Sequence, residues 1–230
     1  MVFPTAAKLL LFGRPGPRRI PLGLLRGLRF SIHPAHQTQR LLGMAEREIA
    51  EPIRNWSRRS VSAVDIGAAD GMYSLYFAAQ VNIHRVLAFE PDVALRRVME
   101  ANFQLNRLGY RGKLQLDDHY VGTREDGRWC RLENMSSVIP LPTIIKIDVD
   151  GGELDVLRGA RRLLSQKGIC LVIETHSAEL EVQCSTFLRD LGYRVRIVPN
   201  GWYRRILPEQ RPIAHNRWLL ADQPFLLDRK

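Results

Sequence analysis

From residue 60 onward the chain alternates short apolar runs with longer stretches of helical spacing. Val61–Ile66, Arg85–Phe89, 113–117, Ile144–Ile147, Cys170–Ile173 and Tyr193–Val198 read as strands, and their near-continuous apolar character suits a parallel sheet covered on both faces. Segments 72–80, 92–107, 152–165 and 178–190 read as helices, with Gly168 and Leu191-Gly192 following the last two. A polar turn and hairpin region is expected around Glu125–Arg131, and an excursion over 199–215 precedes a last strand, Arg217–Ala221, that returns antiparallel. This order predicts an α/β fold: a doubly wound, Rossmann-like sheet, mostly parallel with an antiparallel last strand.

Upstream, residues 1–20 are rich in Pro, Gly and Arg and read as a loose arm. Ile20–Pro34 suggests a strand or hairpin carrying Leu28–Ile32. Thr38–Trp56 has helical spacing in Leu41, Leu42, Met44, Ile49 and Ile53. The chain thus divides into a basic extension, 1–59, expected to cover the ligand face, and a main domain, 60–230.

Length and composition fit this picture. The 230 residues suit one domain with an appendage, and 45% hydrophobic with 25% charged residues exclude wholesale disorder. Cys130, Cys170 and Cys184 have no C-x-x-C spacing and read as reduced thiols. No apolar run approaches the ~20 residues of a membrane helix, and no secretory leader is evident. The expected location is cytoplasmic, with peripheral membrane contact.

The net charge of +10 is unevenly spread: Met1–Ser60 holds 11 Lys and Arg against 3 Glu, a surplus of 8. Arg14, Arg18, Arg19, Arg26 and Arg29 are interleaved with Leu, Ile and Phe. That mixture fits an anionic, partly apolar partner such as a lipid-linked glycan, a membrane surface or an acidic substrate, and equally a solvated basic arm. Nucleic acid is disfavoured, since the segment lacks aromatic platforms for bases.

The chemistry concentrates at the expected strand ends. Asp65, Gly67 and Gly71 form D-x-G-x-x-x-G between a strand and a helix, a turn that lets a ligand approach backbone. Ala69 occupies the middle glycine position of the dinucleotide fingerprint, and Asp65 sits poorly beside a pyrophosphate. A cationic ligand such as S-adenosylmethionine suits the acid, with Asp65, Gly67, Ala68 and Gly71 cradling it. Ligands of parallel sheets lie beyond the carboxyl ends of the strands, which singles out Asp65, Glu90, Asp117, Asp118, Asp148 and Glu174 to His176. Glu90 is placed to accept both ribose hydroxyls; a favourable charge at a helix start is the alternative. Asp117 or Asp118 would meet the adenine amino group, or be solvated turn acids.

VDIGAADGMYSLYFA, AFEP with Leu95, Asn102 and Asn106 after it, IIKIDVDGGELDVLRGA and VIETH together resemble the FkbM-type S-adenosylmethionine-dependent methyltransferases, over roughly Gly43–Tyr193. Where that family writes K-I-D-V-E-G-A-E, this chain has Asp150 for the glutamate and Gly152 for the alanine. The resemblance implies a class I methyltransferase fold and O-methylation of a hydroxyl on a sugar, glycan or natural product. Methyl transfer is an in-line displacement, for which alignment supplies about 7 to 11 kcal/mol and a general base on the order of 10² to 10⁴ in rate.

His176 is the expected base, with Asp148, also bordering the cofactor, orienting it or the substrate. Asp148, Asp150, Glu174 and His176 also make a donor set for Mg²⁺ or Mn²⁺. Glu153 reads as a helix-start charge, Tyr73, Trp202 and Tyr203 as aromatics facing substrate or adenine, and Lys146 as a cation of unreadable role in an apolar strand. Two rival readings are a nucleic-acid methyltransferase and a non-catalytic binding module using the basic arm. The first lacks the amine clamp, since Asp148, Val149, Asp150 and Gly151 replace the Asn/Asp-Pro-Pro-aromatic run; the second would not require Asp65, Gly67, Gly71 and Glu90.

Overall fold

The structure, a computed structural model, describes residues 5–106, 113–205 and 215–223. The chain opens with α1 (Thr5–Phe12), a hairpin of β1 (Gly16–Arg19) and β2 (Arg29–Ile32), α2 (Thr38–Leu41) and α3 (Arg47–Ser57). Next come β3 (Ser62–Ile66), α4 (Met72–Ala78), β4 (Arg85–Phe89), α5 (Val93–Asn106), β5 (Leu114–Asp117) and the short β6 (Tyr120–Val121) and β7 (Trp129–Cys130). A 3-10 helix, Leu132–Val138, leads to β8 (Thr143–Ile147), α6 (Glu153–Gly159), α7 (Arg161–Leu164), β9 (Ile169–Thr175), α8 (Ala178–Asp190), β10 (Arg194–Val198) and β11 (Arg217–Asp222).

Seven strands form one sheet in the order β10-β11-β9-β8-β3-β4-β5. β9, β8, β3, β4 and β5 run parallel, and β11 inserts antiparallel between β9 and β10. This is the α/β sheet that the pattern predicts. β3, β8 and β9 are buried at every position, the reason their runs do not alternate.

One face packs against Val156, Leu157, Leu163, Leu164 and Leu188 of α6 to α8. The other packs against α4 and, beyond it, the extension: Phe30, Ile32, Ile49 and Ile53 share a cluster with Tyr73, Phe77, Val86 and Ile144. Every residue of α4 is buried as a result. Each large apolar side chain so covered contributes about 1.5 to 3 kcal/mol, so residues 20–57 are structural parts of the fold.

A second tie is polar. Asn102 Oδ1 accepts the Ser31 N–H at 2.8 Å; Asn106 Oδ1 accepts the Arg29 N–H at 2.8 Å while its Nδ2 donates to the Arg29 carbonyl at 2.7 Å. Two side chains one turn apart on α5 thereby pair the free edge of β2 as a neighbouring strand would.

Three elements depart from expectation. The single helix over 38–56 is broken, because Gly43 (φ +66°) and Glu46 (φ +47°) are left-handed. A Cβ on Gly43 would lie 2.5 Å from the Leu22 carbonyl carbon, so the turn is pressed against the chain before it. The arm over 1–20 is not loose throughout, since it holds α1 and β1. The helix over 152–165 divides at Ala160 into α6 and α7. Residue 107 of the α5 expectation and 206–214 of the excursion fall outside the described residues. No helix among the described residues is long and apolar enough to cross a membrane.

Candidate active site

β3 lies between β4 and β8, all parallel, so the crevice at their carboxyl ends is the topological switch point of the sheet. A cavity of about 480 Å³ opens there. Its lining includes Ile66 at the end of β3, Gly67 and Ala69 in the β3–α4 loop, Phe89 at the end of β4 with Glu90 after it, and Asp148 just after β8.

The loop's glycines are required by packing. Gly67 has φ +75°, and a Cβ there would stand 1.9 Å from the Asp148 carbonyl oxygen; Gly71 has φ +83°, with Met99 Cγ 2.4 Å from its Cβ position. The close neighbours are thus protein atoms, where the sequence reading assigned the space to a ligand. The N–H groups of Gly67 and Ala68 both donate to the Phe89 carbonyl at 3.0 Å, which bends the loop over β4.

Glu90 is buried, and each carboxylate oxygen accepts one backbone N–H: Oε2 from Ala69 at 2.8 Å, Oε1 from Asp92 at 2.9 Å. Carboxylate oxygens accept two bonds each, so Glu90 keeps acceptor capacity toward the cavity it lines.

Asp117 and Asp118 are not among the cavity's lining residues; His119 is. Asp117 Oδ1 is engaged with the His119 N–H (3.0 Å) and Nδ1 (2.7 Å), and Asp118 projects into solvent. The wall is aromatic: Tyr120 stacks on Trp129 at 5.0 Å, with Arg124 over Trp129 and Arg128 over Tyr120. Asp155 of α6 holds this segment through the Thr123 hydroxyl at 2.7 Å. The expected hairpin region hid this pair, because β6 and β7 have two residues each.

Asp65 also lies away from the cavity lining. Its Oδ2 accepts the Ser74 hydroxyl at 2.6 Å, its Oδ1 is buried without a hydrogen bond, and burial pushes its pKa up against the opposing pull of Lys146. Neither Ala68 nor Gly71 lines the cavity.

Beside the cavity, Lys146 Nζ lies 3.0 Å from Asp148 Oδ2, 4.9 Å from the Tyr73 ring centroid and 6.0 Å from that of Trp218. Burial alone would lower its pKa, but Asp148, Asp65 and Glu46 raise it, so it is a buried ammonium. A charge in a buried strand demands such partners. Asp148 is held below the usual carboxylate range: Lys146 and hydrogen bonds outweigh its burial. Glu174 is pushed up to about 10 by burial and by the charges of Asp148 and Glu46, so it is protonated at neutrality. Its Oε1 accepts from Asn216 Nδ2 at 2.9 Å.

His176 joins this group. Its Nδ1 is 2.5 Å from Glu153 Oε1, and its Nε2 is 3.3 Å from Asp150, 3.6 Å from Asp148 and 4.0 Å from Glu174. Burial lowers its pKa, yet Glu153, Asp148 and Asp150 together raise it above its ordinary value. Glu153 is fully buried and also accepts the Gly151 N–H at 3.0 Å, so it is more than a helix-start charge.

The extension reaches the same region. The Tyr73 hydroxyl donates to Glu46 at 2.5 Å, and Arg40 pairs with Asp70 in the glycine loop, Nη2 to Oδ1 at 3.1 Å. Glu48 accepts from the Gly201 N–H and Arg204 Nε at 2.7 Å, and from the Tyr203 hydroxyl. Tyr73 and Tyr203 are thus engaged with carboxylates, Trp202 is 73% exposed, and none of the three lines the cavity.

Residues 132–195 match the Methyltransferase FkbM domain family. The resemblance read from the sequence is borne out there, and the matched segment carries Asp148, Glu153, Glu174 and His176. Among solved structures, a methyltransferase FkbM from Methylobacillus flagellatus is 20% identical with TM-score 0.56, over 71% of this chain and 44% of that one. The chain therefore spans less than half of that protein. A precorrin-6y C5,15-methyltransferase from Geobacter metallireducens is 16% identical with TM-score 0.51, over 76% of this chain and 87% of that one. The methyltransferase domain of a bacterial Hen1 is 12% identical with TM-score 0.51, over 81% and 100%. These likenesses show the class I methyltransferase fold. No curated protein matches the sequence.

Proposed function

We propose that the chain is an S-adenosylmethionine-dependent O-methyltransferase acting on a hydroxyl of a sugar, glycan or natural product. The observation that carries this reading is the cavity at the switch point, with Glu90 on one side and Asp148 on the other. Its volume is that of a small-molecule site. Its donor set fits the cofactor: Glu90 has spare acceptor positions for ribose hydroxyls, Pro91, Leu95 and Tyr120 offer flat or apolar surface for a purine, and Asp148 is an anion for a cationic amino-acid end. S-adenosylmethionine, when bound, supplies a methyl group made electrophilic by its sulfonium.

The chain's own residues then have two tasks. Asp148 orients the acceptor hydroxyl, and His176 takes its proton at Nε2 while Glu153 holds Nδ1. Because the neighbouring carboxylates raise the pKa of His176 above its ordinary value, turnover rises with pH through that raised pKa. Residues 1–59 act as a cover for this end of the sheet, through Arg40, Glu46 and Glu48.

A second reading rests on Asp148, Glu174 and His176, whose ligand atoms lie within 4.8 Å of one another. Oxygen donors with one imidazole suit Mg²⁺ or Mn²⁺. Lys146 already supplies Asp148 with a cation at 3.0 Å, which favours the metal-free reading. The test is a panel of hydroxyl compounds incubated with labelled methyl donor, with and without chelator. Methylation insensitive to chelator is expected; transfer to a base amine alone would overturn the O-methyl assignment.

A further inference from the structure

We propose that the N-terminal hairpin and the helix before it dock on an anionic lipid bilayer. The inference rests on surface features away from the cavity and is independent of the methyltransferase reading. In the β1–β2 register Arg19 stands directly opposite Arg29, and both are exposed while Phe30 and Ile32 face the core. Like charges directly opposed across strands destabilise a hairpin, so this face is arranged against its own stability unless an anion bridges the two guanidiniums.

Residues 1–45 contain no Asp or Glu, and among the described residues no carboxylate meets Arg19, Arg26 or Arg29. Arg26 is exposed on the turn joining the strands. Apolar side chains accompany the cations: Leu10 is 88%, Leu11 66% and Leu22 57% exposed. Single exposed leucines are ordinary, but three within a basic segment match a surface that takes cations at its headgroups and leucines just beneath them. A nucleic acid offers the leucines nothing.

The test is co-sedimentation of the full chain with vesicles of equal parts phosphatidylglycerol and phosphatidylcholine, or of phosphatidylcholine alone, across a salt series. Binding is expected only to the anionic vesicles, falling as salt shortens the Debye length. Arg19→Ala with Arg29→Ala should weaken it on the order of tenfold or more, with a melting temperature unchanged or raised because the like-charge pair is gone. Leu10→Ser with Leu11→Ser should weaken it, while about 10 mM inorganic phosphate leaves wild-type binding intact. Equal binding to both vesicle types, none to either, indifference to the arginine substitutions, or displacement by stoichiometric duplex RNA would overturn the proposal.

Discussion

Glu153 Oε1 lies 2.5 Å from His176 Nδ1, a bond that joins the start of α6 to the end of β9 and turns Nε2 toward Asp148 and Asp150. The carboxylate fixes which nitrogen faces Asp148 and Asp150, as orienting carboxylates do for catalytic and metal-bound histidines.

Replacing Glu153 with Gln should therefore lower the pKa of His176 toward the ordinary ~6.5. The sign for stability follows: a folded pKa raised above the unfolded one stabilises the protein fully below ~6.5, and that contribution is lost as pH rises through the folded value. Nitrogen-resolved NMR titration of the imidazole checks the shift. An unchanged His176 pKa in the variant would contradict it.

Glu174 offers a second pH window. Its folded pKa of about 10 exceeds the unfolded ~4.3, so its contribution to stability is present below ~4.3 and declines as pH rises toward 10. Glu174→Gln keeps the shape and cannot ionise. Its melting temperature should fall less than the wild type's between about pH 5 and 6.5, where His176 contributes little change. Parallel melting curves would remove the buried proton from the account.

Asn102→Ala tests the tie between α5 and the extension. The substitution leaves the Ser31 N–H and the Asp70 carbonyl without their partner and should cost about 1 to 3 kcal/mol. Hydrogen exchange should rise first at Ser31, by roughly one to two decades if the loss is local. Unaltered exchange there would show that the Asn102 contact does not hold β2.

Gly67→Ala should destabilise the fold as well as the site, since the added Cβ meets the Asp148 carbonyl at 1.9 Å on a backbone with φ +75°. A loss of about 1 to 3 kcal/mol is expected from the backbone strain alone. Thermal melting decides this, and a native melting temperature would mean that the loop yields more than the packing implies.

The sheet was legible in the sequence because β3, β4, β8 and β9 are buried runs of apolar residues, and each strand end carried a polar residue worth naming. The partners of those residues were not legible. Glu153 meets His176 across 23 residues, Glu46 meets Tyr73 across 27, and Glu48 meets Tyr203 across 155; no local period encodes such pairings. Lys146 did carry a signal: a charge within a buried strand demands a carboxylate, and the one two residues on supplied it. Asp117 is tied to its own turn at His119 and Asp118 projects into solvent, arrangements a strand-end acid adopts as well as facing a ligand, and no local pattern distinguishes them. The break after Leu41 was hidden because the left-handed turn at Gly43 and Glu46 depends on contact with Leu22 and Gly23.

The most direct measurement is calorimetric titration of S-adenosylmethionine into the wild type and Glu90→Gln, with melting temperature as a control for folding. Saturable one-to-one binding is predicted for the wild type, weakened on the order of tenfold or more in the variant through loss of charged hydrogen bonds. No binding to the folded wild type, or equal affinity in the folded variant, would contradict the assignment of the cavity to the methyl donor.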